Sequence, residues 1–102
     1  MTPEMYFHEL GTYYRLQGRY SDAVVMSKKN REHNPDFLMS RINLAATYSM
    51  MGKLDEARKE AKEVLRRIPD FSAEKLMKGF PYKDQKIVDD FIDHLCKAGL
   101  PA

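Results

Sequence analysis

Residues 10–24, LGTYYRLQGRYSDAV, share a spacing with residues 44–58, LAATYSMMGKLDEAR, although most of the letters differ. Leu, Tyr, Gly and Ala recur at the same offsets in the two stretches, and Pro69 follows Pro35 at the same interval that separates Leu44 from Leu10. We call this constant distance the repeat interval. A spacing that is kept while the intervening residues change indicates an internal structural repeat. The chain is therefore predicted to contain two copies of one unit.

The kept residues suit a pair of antiparallel helices. Small residues at the contact points let two helices approach closely, and Gly18 and Gly52 end the first helix of each pair with a left-handed residue. Pro35 and Pro69 separate one unit from the next, because proline breaks a helix interior. We expect helices at about 3–16, 21–33, 36–51 and 54–67.

These residues resemble the tetratricopeptide repeat, whose pattern is an aromatic residue, Leu-Gly, Tyr, and then Ala and Pro. The first copy meets it at Phe7, Leu10, Gly11, Tyr14, Ala23 and Pro35, and the second at Leu44, Ala45, Tyr48, Ala57 and Pro69. The second copy departs by carrying Arg41 at the aromatic position, and Ser27 and Ala61 replace the aromatic of the second helix. The resemblance implies an all-α array of antiparallel helix pairs in a right-handed superhelix.

The whole chain, 1–102, is predicted to be a single domain, because its length is that of one compact unit. Repeat 1 spans about 4–37 and repeat 2 about 38–71. Residues of about 72–102 form a partial third repeat and a C-terminal capping helix, whose apolar stripe consists of Ile87, Val88, Phe91, Ile92 and Leu95. Gly99 marks the end of this helix.

The C-terminal tail carries a second resemblance, to the ending of repeat regions in many bacterial proteins, including some nucleotide-cyclase signalling proteins. It rests on Pro81, Lys83, Asp84, Ala98, Gly99, Leu100 and Pro101. This resemblance implies an alternative function for the chain, as the regulatory C-terminal region of a larger bacterial signalling enzyme.

Composition argues against several other classes of protein. A net charge of +2 with interspersed signs is too weak for a nucleic-acid footprint, so no nucleic-acid partner is expected. No apolar run reaches the length of a membrane span, and the single cysteine, Cys96, fits a cytoplasmic location. Cys96 is expected to be partly buried. His8, His33 and His94 lie on three different predicted helices, so we expect no catalytic site, no metal and no cofactor.

The resemblance to tetratricopeptide repeats implies a scaffold whose first helices line a concave groove for a protein or peptide partner. By repeat register the groove residues are Met5, His8, Thr12, Arg15, Met39, Ile42, Asn43, Ala46 and Met77. Some relatives of this kind clamp the acidic tails of chaperones, but only Asn43 fits that clamp. We therefore expect an amphipathic helix or an apolar peptide as the ligand, with weak self-association as a further prediction.

Overall fold

The computed structural model describes residues 3–80 and 83–102, with side chains from residue 5 onward. Six helices occupy these ranges, and no strand occurs within them. They are α1 (Pro3–Leu16), α2 (Tyr20–His33), α3 (Leu38–Met50), α4 (Leu54–Arg67), α5 (Ala73–Lys78) and α6 (Gln85–Lys97). The expected all-α architecture of helix pairs is confirmed. The pairs α1–α2 and α3–α4 fall within the two predicted repeats.

Each of these two pairs turns at a glycine. Gly18 and Gly52 have φ angles of +78° and +77°, which a residue with a side chain rarely adopts. The amide after each glycine donates to the carbonyl oxygen of Tyr14 or Tyr48, at 2.8 and 2.9 Å. These are the hydrogen bonds of a Schellman helix end, so the role predicted for both glycines is confirmed.

The second unit begins later than its spacing predicted. Residues 35–37 form a turn in which the Phe37 amide donates to the carbonyl oxygen of Asn34 at 3.0 Å. The carbonyl oxygen of Phe37 accepts from the Ser40 hydroxyl at 2.8 Å and from the Ser40 amide at 3.3 Å. The helix α3 therefore starts at Leu38 and not at residue 36.

Small residues allow the helices to pack closely. Ala23, Ala45 and Ala57 are almost completely buried where the paired helices meet. A Cβ atom added at Gly11 would lie 3.4 Å from Ser27 Oγ on α2. Ser27 stands where the repeat pattern has an aromatic residue, and its small side chain lets α1 and α2 approach at this point.

A buried carboxylate compensates for the missing aromatic residue of the second repeat. Glu60 on α4 is 7% exposed and accepts hydrogen bonds from Arg31 on α2, at 3.0 Å, and from Arg41 on α3, at 3.3 Å. Arg41 occupies the position of the aromatic residue. The three helices that meet here are thus joined by ion pairs where the repeat pattern has apolar packing.

The last helix, α6, packs against α3 and α5. Phe91 and Leu95 of its apolar stripe are 2% and 0% exposed. Its acidic residues face solvent, as the amphipathic pattern predicts, and these are Asp89, Asp90 and Asp93. The helix therefore contributes to the same core as the repeats.

The tail after α6 is also part of the packing. Gly99 has a φ angle of +107°, and the Leu100 amide donates to the Leu95 carbonyl oxygen at 3.0 Å. Leu100 is 2% exposed, and the carbonyl oxygen of Pro101 accepts from the Ala73 amide at 2.9 Å. The tail thereby fixes the start of α5. Pro81, which contributes to the resemblance of this tail, lies outside the described residues.

Candidate functional site

A pocket of about 440 Å³ opens between α1, α3, the end of α5 and α6. Most of its surface is apolar. Its size falls in the range of pockets that accept small molecules or side chains. The residues that line it are His8, Glu9, Thr12, Tyr13, Arg15, Leu16, Met39, Asn43, Met77, Phe80 and Phe91.

Two polar residues of this pocket bind each other across the two repeats. Asn43 Nδ2 on α3 and His8 Nδ1 on α1 are 3.0 Å apart. Burial lowers the pKa of His8, and the charge of Arg15 lowers it further, so the neutral imidazole is favoured. When Asn43 donates to Nδ1, the neutral ring carries its proton on Nε2. The amide of Asn43 is therefore already engaged within the protein.

A buried cation lies between α1 and α6. Arg15 is 6% exposed, and its guanidinium carbon lies 4.5 Å from the centre of the Phe91 ring. This is a cation–π contact, which is stronger when both groups are removed from water. A second polar contact joins α6 to α3, where Ser49 Oγ of α3 and His94 Nδ1 of α6 share a hydrogen bond of 3.1 Å. Polar contacts thus hold α6 against both first helices.

The structure brings six of the nine predicted groove residues to this pocket, namely His8, Thr12, Arg15, Met39, Asn43 and Met77. Met5 is 48% exposed on α1 but does not line the pocket. Ile42 and Ala46 are 2% and 0% exposed and belong to the core, and Ile42 also lines a second pocket, between the start of α3 and α5. The repeat register predicted that both side chains line the groove, and neither lines this pocket.

Five lining residues were absent from the predicted set: Glu9, Tyr13, Leu16, Phe80 and Phe91. Glu9, Tyr13 and Leu16 lie on α1, each next in sequence to a predicted residue. A prediction that covered a broader face of α1 would have included them. Phe91 belongs to the apolar stripe of α6, but nothing in the sequence indicates which helix that stripe packs against. The predicted set therefore shares residues of α1, α3 and α5 with this pocket and contains none of α6.

Among the residues that the structure describes, no cluster of three or more His, Cys, Asp or Glu side chains could hold a metal ion. Cys96 is exposed, so the expectation that it is partly buried was wrong. It lies on the outer side of α6, one position beyond the buried Leu95. In the described part of the chain, no helix combines the length and apolar character that a membrane span requires.

A sequence profile for the tetratricopeptide repeat matches residues 14–78. The match covers more than half of the chain and includes both glycine turns. The chain belongs to the tetratricopeptide repeat family. No curated protein matches it. Repeats of this family in general mediate protein–protein interaction, so the match supports that broad role for the chain.

Proposed function

We propose that this protein is an interaction module whose pocket, lined by α1, α3, the end of α5 and α6, receives an apolar segment of a protein partner. The pocket itself carries this proposal. It has the volume for one or two apolar side chains, and the flexible side chains of Met39 and Met77 can adapt to them.

The polar groups of the pocket favour an amphipathic helix or apolar peptide over a free acidic tail. Asn43, which would be the one matching member of a carboxylate clamp, is hydrogen-bonded to His8. Ala73 is completely buried, and Met77 offers no charged donor. A carboxylate gains most from paired, charged donors, and Arg15 is the one Lys or Arg side chain among the lining residues.

The proposal is tested with a substitution that places a large side chain in the pocket and so blocks it. Thr12 lines the pocket and is partly exposed, so Thr12→Phe places a ring in the space that a ligand would occupy. Ser21→Phe adds the same ring at an exposed site on α2 and is the matched control. The probes are synthetic amphipathic helical peptides with apolar residues four positions apart, and binding is followed by fluorescence anisotropy and by the methyl NMR signals of Met39 and Met77.

We expect the parent and Ser21→Phe to bind one class of these peptides with equal affinity, and Thr12→Phe to bind it at least about tenfold more weakly. The affinity should change little with added salt, because apolar burial is not screened by ions, whereas the Debye length of charge contacts falls from ~10 Å to ~3 Å between 0.1 M and 1 M salt. Failure of every peptide to bind the parent, or equal binding by Thr12→Phe, would contradict the proposal.

The resemblance of the C-terminal tail supports a second proposal, in which the chain is the regulatory C-terminal region of a larger bacterial signalling enzyme such as a nucleotide cyclase. Of the residues that carry the resemblance, Ala98 and Leu100 are buried, so they also have a packing role. Determining the complete reading frame tests this proposal. A catalytic domain encoded upstream in the same frame is the expected result, and a frame without one would contradict it.

A further inference from the structure

Side-chain contacts show which side of α3 meets each of its neighbouring helices. Arg41 bonds to a residue of α4, Asn43 to a residue of α1, and Ser49 to a residue of α6. At about 100° per residue these three positions point in different directions, and the widest sector between them lies opposite Ser49. Because α3 also packs against α2, this sector is the side that meets α2.

The side of α3 that meets α2 carries Ser40, Leu44 and Thr47, which are 0%, 0% and 1% exposed. The hydroxyls of Ser40 and Thr47 donate to backbone carbonyl oxygens at 2.8 and 2.7 Å, so neither needs an acceptor on α2. This side is therefore an enclosed contact between the second helix of one repeat and the first helix of the next.

The same side of α1 is open. A shift by one repeat interval places it at Tyr6, Leu10 and Tyr13, which we name the α1 outer face. Tyr6 and Tyr13 are 52% and 54% exposed, and Leu10 is partly exposed. The contacts of α1 with α2 at Gly11 and with α3 at His8 lie on the other half of the helix.

The rings of the α1 outer face are already held by contacts within the first repeat. The ring centres of Tyr6 and Phe7 are 5.6 Å apart, and those of Tyr13 and Tyr14 are 5.9 Å apart. Gln17 Nε2 donates to the Tyr13 hydroxyl at 2.9 Å. A further element can thus cover these rings with little additional loss of side-chain freedom.

The internal repeat indicates which kind of element fits this face. In the observed contact between repeats, the second helix of one pair, α2, lies against the first helix of the next pair, α3. One repeat interval earlier, the counterpart of α2 is the second helix of a preceding pair. Tyr6 and Tyr13 are much larger than Ser40 and Thr47, so that helix must present short side chains, such as alanine or serine, opposite the two rings.

We infer that the α1 outer face binds the second helix of a further helix pair, which lies before α1 in the same polypeptide. This contact continues the interface that α2 and α3 already form. It does not depend on a ligand in the pocket, since neither Tyr6 nor Leu10 lines the pocket. It is also independent of a catalytic domain, because a helix pair can precede α1 with or without one.

The complete reading frame is the first test. We expect it to encode, directly before α1, about one further repeat interval with the glycine and alanine spacing of the two observed pairs and with short residues on its second helix. A frame that begins at Met1, or that encodes no helix pair there, would overturn the inference. A frame with the helix pair and no catalytic domain would support it while contradicting the proposal of a larger signalling enzyme.

The second test compares the 102-residue chain with the chain extended by that pair. Tyrosine iodination, followed by mass spectrometry, measures how accessible each ring is. Tyr6 and Tyr13 should react at least about tenfold more slowly in the extended chain, because their rings are then enclosed. Tyr20, on α2, is the internal control and should react at the same rate in both chains. Equal rates for Tyr6 and Tyr13 in the two chains would show that the preceding pair does not cover this face.

A substitution gives a third readout. Tyr6→Lys alters an exposed side chain in the 102-residue chain, so its denaturation midpoint should change little there. In the extended chain the same change should accelerate amide hydrogen exchange in the preceding pair at least about tenfold. Val25→Lys is the matched control, because Val25 is 47% exposed on α2 and its counterpart Lys59 is also exposed. The same exchange rates in the two lysine variants of the extended chain would count against the contact.

Discussion

Asn30 is a polar side chain enclosed in the core of the first repeat. It is 1% exposed, and within the described part of the chain neither its Nδ2 nor its Oδ1 atom has a hydrogen-bond partner. A shift by one repeat interval places it on Val64, which is completely buried in the second repeat. The same position therefore accepts an apolar side chain in one unit and holds an unsatisfied amide in the other.

Asn30→Val should raise the free energy of unfolding by about 1–3 kcal/mol, because it removes a buried amide without a partner and restores apolar packing. Urea denaturation followed by circular dichroism measures this. Asn43→Val is the control, since Asn43 is similarly buried but bonded to His8, and its loss should lower the midpoint. A lower midpoint for Asn30→Val would mean that the amide is satisfied in solution.

At the scale of single residues, the sequence predicted the positions with a backbone role better than those with a side-chain role. The glycine turns at Gly18 and Gly52 follow from spacing, because a left-handed residue at a helix end requires little more than the absence of a Cβ atom. The burial of Ile42 and Ala46 did not follow. Their exposure depends on how the helices pack around α3, and no local pattern in the sequence specifies that.

Among the helices, the contact of α2, α3 and α4 depends on one carboxylate. Glu60 accepts from Arg31 and Arg41, whose side chains are 32% and 19% exposed. Removing one member of a partly buried ion network leaves the others without compensation. Because the three charges come from three helices, the loss should weaken the contact between the two repeats as well as the second repeat itself.

Glu60→Gln should lower the free energy of unfolding by on the order of 3 kcal/mol, since the amide keeps the shape but not the charge. The measurement is the denaturation midpoint at constant salt. Glu56→Gln, at an exposed position one turn earlier on α4, serves as the control and should have little effect. Equal midpoints for the two variants would show that Glu60 is not a structural link.

The helices themselves were largely predictable, but their partners were not. The repeat spacing predicted four helices within two residues of their observed ends, and the apolar stripe from Ile87 to Leu95 predicted a capping helix, which is α6. The ion pairs of Glu60 were not predicted, because they join residues 29 and 19 positions apart. Such contacts depend on how whole helices pack together, and the spacing of apolar residues along one helix does not specify that packing.

For the molecule as a whole, the question is whether α6 unfolds with the repeats or before them. Leu95 is completely buried, and α6 touches α3 and α5. The tail that follows holds the start of α5 through the Ala73 amide. Since these contacts belong to one continuous core, α6 and the repeats should unfold in a single cooperative transition, as is usual for a domain of this size.

Leu95→Ala should therefore lower the free energy of unfolding by about 2–5 kcal/mol, the cost of deleting a fully buried leucine, and it should do so for the whole chain. Amide hydrogen exchange would then accelerate to a similar degree in α3, α4 and α6. Ile87→Ala, at a partly exposed position on the same helix, is the control and should cost less. If exchange accelerates in α6 alone while α3 and α4 keep their protection, α6 is a separate unit that opens by itself. In that case the C-terminal wall of the pocket, which Phe91 provides, would be present only while that unit is closed.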